Sequence, residues 1–599
     1  MEFFIIIGII LIYSVMISMI FKKKIEQTLP IGIVEIVLII YILGLLNNLK
    51  LGFFIVLIIT FIQIAIILYL ICREKNSDNI KRYLKLIITP GLVVYIMLCV
   101  VIIYINKNRI FMNYDEFSHW GRMIKYLFVN NCFEFGENSV IIFNEYPPFT
   151  AIFQYLFLAV KNVYSEDIII TAQCILYFSL ISQTMKNINW NKSIIKLIYI
   201  VPIIIFLPMI FFKNFYLEIL VDGLIGIIFA LILYNYFEDY DNLIFKYLKV
   251  FSGLISLCLI KTTGIFFAIL AIIIFIIELL KNRKNINIKR NFYIILSIIL
   301  ILIIITSSWY IKIKNKTTKW DFSKYKYIEN TEKNQIIINN FFNAIFTNQC
   351  ITDKNLTIFI SYLLLICCTI FTIKKCNKKA SVKFYLIIML IIIPIYLMFL
   401  LMTYLAIFDF WEAEQLAALD RYVSIIILSN LLLQFLIVLE HNFDFNLSYV
   451  FMIFTIILLF LPQKNIEEKY INSKKYLYES NINRQVLTQI KKYKDIFEED
   501  DKILYVSGNS GNFYLLTVMN QYELMLNKTI ESSDGNFATE KSLENKLRDG
   551  KYTYIYIYRF DDEIEKIVKN LFEDGEVKND TLYEIIRKDD KIILKRENI

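Results

Sequence analysis

Apolar windows recur along most of this chain, many of them near the roughly 20 residues that a helix needs to cross a hydrocarbon core of about 30 Å. They fall at 2–20, 31–47, 51–72, 86–105, 167–185, 194–212, 216–236, 247–260, 264–280, 291–310, 357–373, 384–403, 423–440 and 446–462, which predicts fourteen transmembrane helices. Residues 148–162 (PPFTAIFQYLFLAVK) hold only about a dozen uninterrupted apolar positions, too few for a span, and read as a helix lying at the outer interface. The run 247–280 reads as two spans, because a single one would carry the basic loop 281–290 to the wrong side.

Beyond residue 462 the pattern changes. Lys502–Ser507 (KILYVS) and Tyr552–Tyr558 (YTYIYIY) are strand-like, Asp561–Phe572 has a helical period, and Thr581–Ile586 with Lys591–Lys595 reads as a hairpin. Gly508-Asn509-Ser510-Gly511 lacks the full glycine spacing of a phosphate loop and reads as a structural turn. The predicted fold is therefore mainly α: a polytopic membrane domain over 1–462 with outer juxtamembrane helices, and a small α/β domain over 463–599.

The chain is 57% apolar over 599 residues, against roughly 45–50% for soluble domains, so a soluble enzyme is excluded for most of its length. Nine Cys are too sparse for a disulfide scaffold; Cys132 and Cys350 both fall in predicted outer loops and are the one pair considered. The net charge of +9 needs no nucleic-acid partner, because the positive-inside rule accounts for where the cations lie. Lys22, Lys23 and Lys24 follow the first apolar run, which lacks a basic leader and a small-residue cleavage site and so is not a cleavable signal. Further cations crowd the loops 73–85, 281–290 and 374–383. This distribution predicts a multi-pass cell-membrane protein. Its N-terminus, the segments 106–166, 213–217, 311–356 and 404–422, and the C-terminal domain all lie outside.

Ionisable residues gather on that predicted outer face, where each costs free energy unless it has a partner or a task. The first outer loop reads NYDEFSHWGR. If it is helical, Asp115, His119 and Arg122 share a face at i, i+4 and i+7. A carboxylate beside an imidazole suits general-base chemistry, and Asp115 with His119 also suits a divalent cation. The same stretch equally fits an interfacial helix with solvated charges. Glu145-Tyr146-Pro147-Pro148 opens the short interfacial helix, since Pro is tolerated in a first turn. Glu218 and Asp222, four apart, are predicted to share one helix face. Lys261 ends a span of about 14 residues, roughly 21 Å long, which sets its ammonium below the membrane surface. A sunken cation wants an anion, either a lipid-linked phosphate or Asp222. In DFWEAEQLAALDRY (409–422), Glu412, Glu414 and Asp420 surround a single cation, Arg421, which suits a phosphate or a neighbouring acid.

This arrangement resembles the GT-C superfamily of integral-membrane glycosyltransferases, such as protein O-mannosyltransferases and aminoarabinose transferases. The likeness lies in the order of an acidic motif in the first large outer loop (Asp115-Glu116), a Pro-Pro motif on a juxtamembrane helix (Pro147-Pro148 in YPPFTAIFQY), a later acid at a span's outer end (Asp222 in LEILVDG), and a C-terminal outer domain. It covers the layout of about residues 86–460. It departs where three spans precede the first motif's span and where Leu220-Val221, not Arg-Pro, precede Asp222. The resemblance implies inverting transfer of a sugar from a polyprenyl-phosphate donor to a cell-surface glycan, lipid or protein acceptor. Asp115 is then the general base, with Glu116 and His119 orienting it or helping to hold a metal. Arg122, Tyr146, Pro147, Glu218, Asp222, Lys261, Glu412, Arg421 and Tyr422 are the expected substrate-binding residues. The cofactor is not named by the resemblance; a divalent cation held by Asp115 and His119 is the candidate. A lipid-linked oligosaccharide flippase and a glycan polymerase or ligase are the competing readings.

Overall fold

The computed structural model describes residues 2–73, 77–135, 141, 143–238, 242–281, 288–313, 331–347, 356–375, 380–440, 478–493, 496–497, 501, 503–507, 513–524, 540–548, 550–559, 578–588 and 591–597. The apolar window 446–462, the turn 508–511, the helical stretch 561–572 and Cys350 lie outside the described residues; Cys132 is half-buried.

Ten helices among the described residues are long and apolar enough to cross a membrane. They account for ten of the fourteen predicted windows. The window 86–105 is the bent pair Ile80–Ile87 and Pro90–Asn106, broken by 43° where Thr89 caps the second helix and Pro90 begins it. Two further windows are shorter helices, Asp222–Phe237 and Ile358–Lys374, and the last is the undescribed one. The helices in chain order are α1 (Glu2–Phe21), α2 (Ile25–Leu45), α3 (Leu49–Arg73), α4 (Ser77–Ile87), α5 (Pro90–Asn106), α6 (Gly121–Asn130), α7 (Phe149–Lys161), α8 (Glu166–Ile181), α9 (Leu197–Phe211), α10 (Asp222–Phe237), α11 (Leu243–Ile260), α12 (Thr262–Lys281), α13 (Ile288–Lys312), α14 (Glu332–Phe346), α15 (Ile358–Lys375), α16 (Ala380–Ala406), α17 (Phe410–Glu414), α18 (Leu419–Glu440), α19 (Ile482–Lys491), α20 (Phe513–Leu524) and α21 (Glu540–Arg548).

The chain divides into two compact units. The first holds 1–109, 130–133 and 143–472; the second holds 110–129, 134–142 and 473–599. The stretch from Asp115 to Arg122 lies in the second unit, with the C-terminal residues.

In the first unit, α10 is the centre. Every residue of its 16 is buried, which explains why a helix apolar on all sides need not reach the length of a lipid-facing span. The window that predicted it began at 216, but 212–221 is not helical and turns over 213–218, with Leu217 N–H donating to Asn214 O at 2.7 Å. Helix α10 packs on α18 and α11. Gly226 makes the first approach possible: a Cβ there would stand 2.5 Å from Ile425 O. We expect Gly226→Leu to force α10 and α18 apart and destabilise the protein by about 1–3 kcal/mol or more, read as a lower thermal midpoint in detergent. Helices α11 and α12 are two, as predicted, separated by the single extended residue Lys261 (φ −167°, ψ 156°). Gly264 closes that break, donating its N–H to Lys261 O at 2.8 Å, with no room for a Cβ against Leu257 O. The short helix α7 is buried from Phe149 to Leu158 and packs on α8, α1 and α2, so within this unit it is a packed element and not one laid on a surface.

The second unit carries a four-stranded sheet in the order β1 (Ile503–Ser507), β2 (Tyr554–Arg559), β3 (Thr581–Lys588), β4 (Lys591–Arg596). Strand β1 is parallel to β2, and the rest are antiparallel, including the predicted hairpin. Period-two alternation fills the two faces differently. Leu504, Val506, Ile555, Ile557 and Ile585 pack with Leu543 and Leu547 of α21. Tyr505 and Tyr556 face the other way, the Tyr505 hydroxyl donating to Asn520 Oδ1 of α20 at 2.7 Å.

Candidate functional site

Three helix ends meet at one end of the first unit. Asp222 is the first residue of α10, Lys261 follows the last residue of α11, and Arg421 lies in the first turn of α18. The Lys261 ammonium stands 2.9 Å from Asp222 Oδ1, and Arg421 Nε stands 3.0 Å from Asp222 Oδ2. One carboxylate therefore takes a different cation on each oxygen. Its side chain is 1% exposed, Lys261's 6% and Arg421's 24%, so only the arginine reaches solvent to any extent. The first turn of a helix also favours an acid, since its unsatisfied N–H groups carry partial positive charge.

Aromatic rings close the cluster. Lys261 Nζ lies 5.6 Å from the ring centre of Tyr146 and 5.3 Å from that of Tyr422, and the Arg421 guanidinium lies 5.6 Å from the Tyr422 ring. Tyr146 stacks on Phe143 in a loop held by Trp309, whose Nε1–H donates to Asn144 O at 3.1 Å. Pro147 precedes Pro148, the residue that opens α7. Tyr396 donates its hydroxyl to Tyr422 O at 3.3 Å, and Tyr404 donates to Ala417 O at 2.7 Å, fixing the turn before Arg421.

The structure thus brings together Tyr146, Asp222, Lys261, Arg421 and Tyr422 of the residues singled out in sequence. Three others stand differently from the expectation. Glu218 sits in the turn before α10, where Asn214 Nδ2 donates to its Oε2 at 3.4 Å, so it shares no helix face with Asp222. Glu412 stands exposed on α17, outside the cluster, and Glu414 is half-buried with its carbonyl accepting from Asn340 at 2.9 Å.

The first-loop residues belong to the second unit, and their backbone is not the regular helix that the i, i+4, i+7 spacing assumed. Glu116–Trp120 is one π-turn leading into α6, a geometry frequent at functional sites. Glu116 is 1% exposed, and its Oε2 accepts from the backbone N–H of Met112 at 2.8 Å and of Asn113 at 2.9 Å. Arg122 is fully buried, donating to Phe117 O at 3.0 Å, to Gln521 at 2.6 Å and to Val518 O at 3.1 Å. Both therefore do structural work, the arginine by tying α6 to α20. Asp115 and His119 are only half-buried, and Ser118 Oγ meets His119 Nδ1 at 2.8 Å. Among the described residues no three His, Cys, Asp or Glu side chains stand together as a metal site, and Asp115 with His119 alone is an incomplete ligand set.

A second cluster, missed in the sequence, lies at the opposite ends of α10 and α18, roughly 24 Å from Asp222 along α10. Lys186 there bridges Glu238 and Glu440, standing 3.0 Å from the latter, which also accepts from Tyr234 at 2.7 Å and Asn187 at 3.1 Å. The fully sequestered Lys249 of α11 is within electrostatic reach of both acids. The signal was present as charged residues bounding apolar windows, but nothing in their spacing said that they meet.

Compared with known proteins, the chain matches no protein-family model and no curated protein by sequence.

Proposed function

We propose that the protein is a membrane glycosyltransferase of the GT-C kind that moves a sugar from a polyprenyl-phosphate donor to a cell-surface acceptor on the outer membrane face. One observation carries the reading: Lys261, in the break after α11, and Arg421, in the first turn of α18, converge on the two oxygens of the Asp222 carboxylate beside the rings of Tyr146 and Tyr422. On this reading the acceptor oxygen attacks the anomeric carbon and gives its proton to a general base. The phosphate leaves with the bonding electron pair, and its growing charge is met by the two cations. The role of Asp115 rests on the resemblance described above, and the phosphate site rests on the cation geometry.

The buried Lys249, roughly 18 Å from Lys261 along α11, favours a second reading, a lipid-linked oligosaccharide transporter with polar residues at depth. Detergent micelles separate the two, because they contain no second compartment. The purified chain is expected to transfer sugar in micelles from the donor that accumulates in a deletion strain. Arg421→Gln should lower that transfer by about 10²-fold or more, the scale for losing a donor to developing charge. Turnover that requires sealed vesicles would decide for the transporter.

A further inference from the structure

We infer that Asp222 is a built-in competitor for the anion that Lys261 and Arg421 receive. The inference rests on the phosphate reading of this site and concerns how that site is regulated. A carboxylate offers two oxygens about as far apart as two oxygens of a phosphate, and here each oxygen already holds one of the two cations, at 2.9 Å and 3.0 Å. An arriving phosphate must therefore take over contacts that Asp222 makes in the ligand-free protein.

The surroundings say which contact yields first. Asp222 is the first residue of a helix buried over its whole length, and α10 lies close against α18 at Gly226. Lys261 is buried between two tyrosine rings on a one-residue break closed by Gly264. Arg421 is the most exposed of the three, on a long side chain that swings without moving the backbone. Exchange then begins with Arg421 leaving Asp222 Oδ2 for a phosphate oxygen, while Lys261 follows or is shared.

This arrangement has a functional consequence. When a sugar leaves its donor, the phosphate left behind gains charge and would bind the buried Lys261 and the partly buried Arg421 tightly. A carboxylate that reclaims them speeds its release. Asp222 is thus expected to weaken anion binding and sustain turnover, the opposite of what a direct ligand to the substrate would do.

The test uses the purified full chain in detergent, with farnesyl monophosphate as the lipid-like probe and inorganic phosphate as the free anion, and binding read by calorimetry. Asp222→Asn should bind farnesyl monophosphate about ten-fold more tightly than the unmodified protein, the scale of one charge-assisted contact. Where that variant does not accumulate, the comparison is made in Arg421→Gln. Adding Asp222→Asn there removes the negative charge facing Lys261 and should again raise affinity relative to Arg421→Gln alone. Unchanged or weaker binding in the Asp222→Asn variants overturns the competitor role alone, provided the unmodified protein binds the probe. Absence of binding by every form overturns it together with the phosphate reading. Equal affinity for inorganic phosphate leaves Asp222 as the competitor and overturns a lipid as the anion's source.

Discussion

Lys261→Met is expected to destabilise the protein by about 3 kcal/mol, the lower range for removing one partner of a buried ion pair. The methionine fills similar space, so the loss reports charge and not volume. Asp222 would keep Arg421 at 3.0 Å, but with a side chain 1% exposed it could not replace the lost ammonium with water. Thermal unfolding in a fixed detergent measures the change. Pairing Lys261→Met with Asp222→Asn completes a double-mutant cycle, which should show a coupling well above the few tenths of a kcal/mol expected of independent sites. A coupling near zero would mean that the 2.9 Å contact does not hold in solution.

Neighbouring acids in the first loop should behave in opposite ways. Asp115→Asn is expected to lower sugar transfer about 10²–10⁴-fold, the usual contribution of a positioned general base, while leaving the thermal midpoint unchanged. Glu116→Gln should do the reverse in kind. Its carboxylate accepts two backbone N–H groups while 1% exposed, so losing the charge should cost about 1.5–3 kcal/mol of stability. Measuring activity per folded molecule separates the two effects. Full transfer by the Asp115→Asn protein would remove Asp115 from the reaction and leave the phosphate site to be judged on Arg421 and Lys261.

The membrane character of the chain was legible because lipid imposes a requirement that composition alone reveals: about 20 apolar residues in a row, with backbone hydrogen bonds satisfied inside the helix. The break within 247–280 was legible as well, since a single span there would carry the basic loop 281–290 to the wrong side, which forces a choice between one span and two. The C-terminal hairpin followed from two short runs rich in Ile, Leu and Tyr separated by the polar stretch 587–590. The short α10 misled the window, because a helix surrounded by protein is as apolar as one surrounded by lipid and sequence does not tell the two solvents apart.

What the sequence determined by itself, then, is the kind of solvent each segment prefers and which residue types are costly to leave unpaired. It singled out Asp222, Lys261 and Arg421 for that reason. Only the tertiary structure decided who meets whom. Asp222 and Lys261 are 39 positions apart and Arg421 is a further 160 along, and no local periodicity links them. Their meeting depends on helix packing, above all on Gly226 admitting Ile425 O and Gly264 closing the turn after Lys261. Packing likewise decided that Glu116 and Arg122 serve their own unit's fold, while Asp115, one residue from Glu116, remains partly open to solvent.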